Sequence, residues 1–260
     1  MAAMTPLLEA RGLTRKFGGV VALDHLDLAV APNEILGLIG PNGSGKTTFF
    51  NVATGIYRAE AGTLTFEGAD IMRASPRAIY HAGIARTFQR SRLALPLSVF
   101  DNIMIGNHKR LNQGLWFNLM KRSDLKREFE ASYRAARALV EVFEPWLAER
   151  MFEPVAGMTM IDRRRIEICR ALISQPKLLL LDEPSAGMTH EETTTLMDDI
   201  LQVRARNQNL TIIIVEHEMG VIERITDRCV VLNFGLKIAE GPYRQIAADR
   251  QVQEAYLGVA

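Results

Sequence analysis

The sequence predicts an α/β fold in which a mostly parallel sheet is flanked by an antiparallel β subdomain and an α-helical subdomain. In the second half of the 260-residue chain, short apolar runs alternate with segments of helical periodicity, as parallel strands and crossover helices do. Near the N-terminus, residues 7–17 and 21–30 alternate in polarity around Gly18-Gly19, as two antiparallel strands joined by a turn do. Between residues 34 and 53, an apolar run, a glycine loop and a helical segment follow one another.

The glycine loop fits G-x-x-x-x-G-K-[ST], the pattern of a phosphate-binding loop. A helix N-terminus after a buried strand aims backbone N–H groups and a helix dipole at phosphate. Lys46 supplies a charge for the β- and γ-phosphates, and the Thr47 hydroxyl is a ligand for Mg²⁺. Because strand, loop and helix agree, we favour a P-loop nucleoside triphosphatase core, binding ATP and Mg²⁺, over an ordinary glycine turn. The predicted nucleotide-binding residues are Gly40, Pro41, Asn42, Gly43, Ser44, Gly45, Lys46, Thr47 and Thr48.

Composition and charge exclude several classes of protein. A formal net charge of +1 provides no electrostatic footprint for nucleic acid, so no nucleic-acid partner is expected. The apolar runs are too short to span a bilayer, and residues 1–10 lack the basic start and apolar core of a signal peptide. Cys169 and Cys229 lie far apart in apolar surroundings, which favours buried structural thiols over a metal or redox site. These features predict a cytoplasmic protein.

The remaining elements follow from apolar periodicity and turn residues. A short strand at 63–66 extends the antiparallel sheet. Further strands are expected at 84–89, 178–181, 211–215, 229–232 and 236–240. Helices are expected at 76–81, 98–108 with Ser98 as N-cap, 123–144 ended by Pro145, 161–174, 191–206, 218–226 and 243–257. We expect residues 1–88 and 176–260 to form the nucleotide-binding core, and residues 89–175 to form the helical subdomain with an insert near 108–130.

A second group of chemical side chains follows the predicted parallel strands. Asp182 ends a buried run and can hold Mg²⁺ through water, and Glu183 is then placed to polarise the attacking water. Gln89 and His217 each end a strand-like segment, so that each can reach the γ-phosphate. Gln89 would face the water and the metal, and His217 would donate to developing charge. A histidine such as His217, taken alone, is more often structural than catalytic. The other candidate residues of the site are the reason to consider it for catalysis.

Two aromatic features have open interpretations. Phe17 is the aromatic best placed to stack on a base, although a hairpin or core aromatic is the better interpretation of the sequence alone. Residues 109–122 mix apolar and basic side chains, which suits a partner or membrane surface. A cap of the helical subdomain is the slightly favoured interpretation of this insert.

The order of the phosphate loop, Gln89, residues 178–184 and His217 resembles the ATPase subunits of ABC transporters over nearly the whole chain. It is similar in particular to the larger ATPase of branched-chain amino acid importers, the Liv-type group. The stretches that carry the resemblance are Phe17-Gly18-Gly19, residues 38–43, residues 83–89, Val215-Glu216-His217, residues 254–258 and the insert.

The resemblance implies roles for individual residues. Phe17 would stack on adenine, Gln89 would sense the membrane subunits, Glu183 would be the catalytic base and His217 the switch histidine. Residues 185–188 fall where the family has an inter-subunit loop. It also implies a head-to-tail pair of ATPase subunits with two membrane permease subunits and a periplasmic or extracellular solute-binding protein. The chain would then lie at the cytoplasmic face of the inner membrane.

One motif departs from the family pattern. Where the family has Leu-Ser-x-Gly-Gln, this chain has residues 158–162, in which Thr159 keeps a hydroxyl for nucleotide. Ile161 replaces the glycine, so a branched side chain crowds the backbone. Asp162 brings a negative charge toward phosphate, a repulsion of roughly 4 kcal/mol at ~4 Å before screening. We therefore expect a different ATPase chain as partner, unless the loop binds with a shifted backbone.

The expected function is ATP hydrolysis that drives uptake of branched-chain or related amino acids. One alternative is a non-transport ATPase acting on nucleic acid or ribosomes, but such proteins carry long coiled coils or two cassettes, and this chain has neither. Another alternative is a regulatory ATPase with weak hydrolysis. The altered motif at 158–162 favours that alternative, whereas Glu183 and His217 oppose it.

Overall fold

The computed structural model describes residues 5–89, 92–108 and 122–257. The insert at 109–122 therefore lies outside the described residues, except for the backbone of Arg122. The chain divides into two compact units. Unit 1 comprises Met1–Arg86, Lys177–Pro184 and Asn207–Ala260, and unit 2 comprises Thr87–Pro176 and Ser185–Arg206.

An antiparallel sheet in unit 1 has the strand order β2-β1-β4-β5. Its strands are β1 (Leu8–Phe17), β2 (Val20–Val30), β4 (Ala61–Phe66) and β5 (Ala69–Asp70). β1 pairs with β2 across the Gly18-Gly19 turn, which confirms the predicted hairpin. Alternate residues of β2 are buried, as in a sheet with one face against a core.

The larger sheet of unit 1 has six strands in the order β10-β9-β3-β8-β7-β6. Five are parallel, and β10 pairs antiparallel with β9. Every residue of β3, β7 and β8 is buried, which explains their uninterrupted apolar sequences. The strands are β3 (Ile35–Ile39), β6 (Ile84–Arg86), β7 (Leu178–Asp182), β8 (Thr211–Val215), β9 (Arg228–Asn233) and β10 (Leu236–Gly241).

Helices account for the rest of the regular structure. In unit 1 they are α1 (Lys46–Ala53), α2 (Pro76–Ala82), α8 (Met219–Ile225), α9 (Tyr243–Ala247) and α10 (Arg250–Leu257). In unit 2 they are α3 (Val99–Ile105), α4 (Arg122–Phe143), α5 (Pro145–Ala148), α6 (Met160–Leu172) and α7 (His190–Arg206). Ser98 caps α3 through a 3.1 Å hydrogen bond from the Asp101 amide, as predicted. Within unit 2, α6 packs against α3, α4 and α7.

Three predicted elements differ from the structure. β6 ends at Arg86, so Gln89 follows the strand by three residues instead of ending it. Pro145 begins the short helix α5, because proline suits the first position of a helix. The expected C-terminal helix is divided, since α9 ends before Ala248 and α10 begins at Arg250.

The cysteines and the helix lengths bear on the protein classes that composition was used to judge. Cys169 and Cys229 are buried free thiols, as predicted, and burial raises the pKa of both. None of the helices in the described part of the chain has the length and apolar character needed to cross a membrane.

Candidate functional site

The phosphate loop follows β3 and leads into α1, as the sequence predicted. Gly40 has φ 144°, Gly43 has 79° and Gly45 has 110°, a backbone path that side chains other than glycine rarely follow. A Cβ at Gly40 would lie 2.0 Å from the Leu232 carbonyl oxygen. A Cβ at Gly45 would lie 2.5 Å from the Ala22 carbonyl oxygen. Gly40 and Gly45 are therefore required both by backbone conformation and by space.

Lys46 places a buried ammonium group inside this loop. Its Nζ donates hydrogen bonds to the carbonyl oxygens of Gly40 at 2.6 Å and Pro41 at 2.9 Å. Burial lowers the pKa of Lys46, and the nearby Glu183 and Asp182 carboxylates partly oppose this effect. Among the described residues, no carboxylate forms an ion pair with Lys46. A buried cation held by two neutral carbonyls suits an anionic ligand.

Ser44 gives a second indication that the loop fits phosphate. Its Oγ is buried and has no hydrogen-bond partner in the described protein. A buried hydroxyl without a partner is costly unless a ligand supplies one. The turn between β9 and β10 supports the loop from outside, because the Gly235 amide donates to the Ser44 carbonyl at 2.9 Å. Sequence reasoning missed this turn, whose residues carry no recognisable motif.

Asp182 ends β7 with its carboxylate buried in unit 1. Arg86 Nη2 donates to Asp182 Oδ2 at 2.6 Å, and both side chains are almost wholly buried. The same guanidinium donates through Nη1 to Asn51 Oδ1 in α1 at 2.7 Å. Sequence reasoning missed Arg86, although an arginine at the end of a strand beside an aspartate-ending strand is a readable signal.

Glu183 follows Asp182 in an unusual backbone conformation. Its φ is +47°, in the left-handed region that non-glycine residues seldom occupy. The Glu183 amide donates to the Val215 carbonyl at 2.9 Å, which holds the residue beside the end of β8. His217, two residues after β8, places Nε2 at 2.7 Å from Glu183 Oε1. The structure thus brings Lys46, Asp182, Glu183 and His217 together in unit 1.

The oxygen donors of this site suit Mg²⁺. Thr47 is exposed at the start of α1, and Asp182 supplies a carboxylate. Mg²⁺ is usually held by one or two such protein oxygens together with substrate phosphates and water. No group of three or more His, Cys, Asp or Glu side chains suited to a metal occurs in the described ranges. Thr47 and Asp182 would hold the ion together with the nucleotide.

Phe17 lies at the end of β1 with 39% of its surface exposed. The Arg15 guanidinium lies 4.4 Å from the centre of its ring. Tyr57 meets the Phe17 ring edge-on, with centroids 5.2 Å apart. An exposed aromatic with these neighbours is available to stack on a base, and Arg15 and Tyr57 are contacts that sequence reasoning did not identify.

Gln89 and Thr159 belong to unit 2, whereas Lys46, Asp182, Glu183 and His217 belong to unit 1. Gln89 helps to line a cavity of about 340 Å³, together with Met158, Met160 and Arg164. Arg164 Nη1 donates to the Phe88 carbonyl at 3.2 Å and to Glu167 at 2.7 Å. Helix α6 therefore supports the backbone next to Gln89.

The segment 158–162 leads into the first turn of α6, which contains Asp162. Thr159 caps α6, accepting from the Asp162 amide at 3.3 Å and donating to Asp162 Oδ2 at 2.7 Å. Arg165 Nη1 lies 3.2 Å from Asp162 Oδ1, and the carboxylate is buried. The Arg165 guanidinium that binds Asp162 also binds Asp199 and Glu144, so a single positive charge serves three carboxylates inside unit 2. The predicted repulsion between Asp162 and phosphate stays a prediction. The predicted crowding of the backbone by Ile161 also stays a prediction.

The C-terminal helix reaches the start of the phosphate loop. The Tyr256 hydroxyl in α10 lies close enough to the Gly40 backbone for that backbone to affect its ionisation. Burial raises the pKa of Tyr256 to about 12, an effect that the Gly40 backbone partly opposes. The sequence placed Tyr256 within a family-like stretch but gave no sign of this contact.

Comparison with protein families and curated proteins agrees with this geometry. A family model described as ABC transporter matches residues 23–186, and a model described as branched-chain amino acid ATP-binding cassette transporter matches residues 237–260. The chain is 38% identical to the high-affinity branched-chain amino acid transport ATP-binding protein LivG of Escherichia coli K12 over 98% of this chain and 99% of that protein. It is 37% identical to BraF of Pseudomonas aeruginosa, which has the same description, over the same shares of both chains.

Solved structures also share the fold. A nucleotide-free ATP-binding cassette from an ABC transporter superposes with a TM-score of 0.82 at 29% identity, over 96% of this chain and 98% of that one. The ADP-bound form of an ATP-binding cassette also gives a TM-score of 0.82, at 28% identity over 97% and 99% of the two chains. The predicted P-loop fold and the resemblance drawn from the motifs are both confirmed. The chain belongs to the family of ABC transporter ATP-binding proteins, the nucleotide-binding ATPases of transporter complexes.

Proposed function

We propose that this ATPase powers the import of branched-chain or related amino acids through partner membrane subunits. The observation that carries the proposal is the 38% identity to a branched-chain amino acid transport ATP-binding protein over 98% of the chain. The match of residues 237–260 to the branched-chain family model supports it independently of the phosphate loop. The amino acid itself does not meet this chain, so the solute class rests on these relatives.

In the proposed mechanism, Glu183 accepts a proton from the water that attacks the γ-phosphorus, and the bond to the ADP oxygen breaks. His217 Nε2, with its proton, donates to Glu183 Oε1 at 2.7 Å and fixes the orientation of the carboxylate. The predicted donation from His217 to charge that develops on the γ-phosphate stays a prediction beside this contact. Lys46, the loop amides and Ser44 bind the phosphate oxygens.

Mg²⁺ is the proposed cofactor, and when bound it neutralises charge on the β- and γ-phosphate oxygens. Thr47 and Asp182 are its proposed protein ligands. Phe17 is proposed to stack on adenine. Gln89 is proposed, from the family resemblance, to act with the metal and water and to sense the membrane subunits.

The proposed assembly contains a second ATPase chain in head-to-tail arrangement, two permease subunits and a solute-binding protein, with this chain at the cytoplasmic face of the membrane. We propose that the second ATPase is a different chain. Ile161 stands where the family pattern has glycine, so this chain's segment 158–162 is poorly suited to hold phosphate for a partner. The partner can still supply an unaltered motif to the Lys46 and Glu183 site.

A regulatory subunit with weak hydrolysis is the second candidate function. The observation that favours it is Ile161 alone. The 2.7 Å contact between Glu183 and His217 favours an active site instead, because both side chains are present and oriented together.

The test is reconstitution of the chain in liposomes with the proposed second ATPase chain and the permease subunits of a branched-chain amino acid importer. We expect ATP-dependent uptake of radiolabelled leucine, isoleucine or valine in the presence of the solute-binding protein. The matched control is Glu183→Gln, which should assemble and bind nucleotide but abolish uptake. Uptake of only unrelated solutes would overturn the solute class and leave the ATPase role intact. Uptake that is equal in the Glu183→Gln complex would overturn the coupling to this chain.

A further inference from the structure

The buried pair formed by Arg86 and Asp182 has a role that the reaction scheme above does not use. Arg86 is the last residue of β6, and β6 pairs in parallel with β7, which ends in Asp182. The 2.6 Å bond joins Arg86 Nη2 to Asp182 Oδ2, and the two side chains are only 5% and 4% exposed. Such a charge-assisted bond between buried groups is strong and well oriented.

Arg86 also connects this carboxylate to the phosphate-loop helix. Its Nη1 donates to Asn51 Oδ1 at 2.7 Å, and its guanidinium lies 5.3 Å from the centre of the Phe50 ring. Asn51 and Phe50 both belong to α1, which begins at Lys46. The rigid fork of one guanidinium therefore spans from α1 to the end of β7.

A buried carboxylate needs a compensating charge. Lys46 is close enough to Asp182 to feel its charge, but its Nζ donates to the carbonyls of Gly40 and Pro41. Arg86 is a cation in direct hydrogen-bond contact with Asp182. A divalent cation that binds beside Asp182 meets the positive charge of Arg86 there.

We propose that Arg86 is the counter-ion that holds the Asp182 carboxylate when no Mg²⁺ is bound, and that it thereby lowers the affinity of the site for Mg²⁺. Arg86 is a positioning residue, because it acts through Asp182 and not on the reacting atoms. The inference rests on the proposed function only in taking Asp182 as a metal ligand. In this proposal Arg86 stabilises the site when no metal is bound and makes Mg²⁺ easier to release together with the nucleotide.

The experiment compares R86Q with the wild-type chain in two measurements that need no turnover. The first is the Mg²⁺ concentration that half-saturates the binding of a fluorescent ADP analogue. We expect R86Q to need about tenfold less Mg²⁺, because one repelling charge is removed. The second is the melting temperature without metal and with saturating Mg²⁺ and ADP. We expect R86Q to melt well below wild type without metal, and the gap to narrow when Mg²⁺ and ADP replace the lost counter-ion.

The matched control is R228Q. Arg228 forms two 2.9 Å bonds with Glu34 in the same unit, near the start of β3 and away from the loop that follows its end. R228Q should lower the melting temperature equally with and without Mg²⁺ and ADP, and leave the half-saturating Mg²⁺ concentration unchanged. This control, at a partly buried ion pair, separates the general loss of an ion pair from the loss of the Asp182 counter-ion.

R86K keeps the charge without the planar fork, so we expect its Mg²⁺ requirement to stay within about twofold of wild type. A tenfold change in R86K would overturn the proposal, whether or not R86Q folds. If binding of the ADP analogue by wild type depends on Mg²⁺ but R86Q needs the same Mg²⁺ concentration or a higher one, the role of Arg86 alone is overturned. A wild type that binds ADP identically with and without Mg²⁺ would overturn the Asp182 metal assignment and this inference together.

Discussion

Glu183 shows how a single residue combines strain with function. Its left-handed φ of +47° is disfavoured for a residue with a Cβ. A hydrogen bond from the Glu183 amide to the Val215 carbonyl holds the residue in this conformation. This conformation directs the carboxylate to a 2.7 Å contact with His217. The side chain of Glu183 is 15% exposed and that of His217 is 46% exposed, so the pair is open to solvent on the histidine side.

Glu183→Gln should lower kcat for ATP hydrolysis by about 100-fold or more, because the amide cannot accept the proton of water. The affinity for a fluorescent ADP analogue should be nearly unchanged, since the phosphate loop is intact. The control is Glu240→Gln, a partly exposed carboxylate in β10 that should hydrolyse ATP like wild type. Full activity in Glu183→Gln would contradict the assignment of the base.

Phe17→Ala should weaken binding of adenine nucleotides about tenfold, because a base loses a stacking platform. Phe17→Tyr keeps a ring of the same shape and should bind like wild type. Titration calorimetry with ADP measures both variants. Equal affinity of Phe17→Ala and wild type would favour the hairpin-aromatic interpretation, in which the ring serves only Arg15 and Tyr57.

Tyr256 predicts a specific alkaline pH dependence. Its pKa is raised to about 12, above the ordinary tyrosine value of about 10. The folded chain therefore holds this proton more tightly than the unfolded chain, so the contribution to stability is complete below pH ~10 and is lost as the pH rises toward ~12. Burial also raises the pKa of Tyr243, so an ultraviolet titration should show late ionisation of both tyrosines, and Tyr256→Phe should remove one of them. An unchanged set of late ionisations in this variant would contradict the raised pKa of Tyr256.

At the scale of elements, α6 illustrates how one sequence motif serves two purposes. Thr159 and Asp162 form a capping arrangement at its N-terminus, and Arg165 joins Asp162 to Asp199 of α7 with a 2.9 Å bond to the latter. These residues begin α6 and attach it to a neighbouring helix of unit 2. The altered family motif is therefore a well-formed helix start, even though its fourth residue is unsuited to phosphate.

Thr159→Ala should destabilise the chain by about 1 kcal/mol, the usual cost of losing an N-cap. Thr159→Ser keeps the hydroxyl and should be close to wild type in a urea unfolding experiment. A loss of stability equal in both variants would indicate that the methyl group, and not the cap, matters.

The elements differ in how well their sequences predict them. β3, β7 and β8 are buried on both faces, so their apolar runs identify them, and the glycines of the phosphate loop mark its position. The Asp162–Arg165 pair lies within α6, but Arg165 also binds Asp199 of α7, and the bond from Arg86 to Asp182 joins two strands. Sequence reasoning identified neither arrangement, because each includes a contact between two elements. Local patterns fix which residues form a strand or loop, whereas tertiary packing decides where a charged side chain finds its counter-ion.

At the scale of the whole molecule, Ile161 determines the expected symmetry of the assembly. In the proposed head-to-tail pair, segment 158–162 of this chain would face the partner's nucleotide with the branched side chain of Ile161 in the place of glycine. Two copies of this chain would then form two weak sites. One copy paired with a chain that has an unaltered motif would form one strong site, at Lys46 and Glu183.

The series Ile161→Val, Ile161→Ala and Ile161→Gly tests this asymmetry in the purified chain alone. Steady-state ATP hydrolysis should rise along the series and reach at least about tenfold over wild type at glycine, as backbone N–H groups become accessible to phosphate. Asp162 is left in place, because its carboxylate is bound by Arg165. A flat series with an active wild type would favour a loop that binds with a shifted backbone and would remove the reason for a different partner.

Tyr256 in α10 lies beside the backbone of Gly40, the first residue of the phosphate loop. Gly40 is buried. We expect exchange of the Gly40 amide hydrogen with deuterium to quicken when α10 lifts away, so that its rate reports a local opening of the C-terminal helix. Any event that tightens α10 against the sheet should slow that exchange, and the amide would serve as a reporter of the helix within the intact protein.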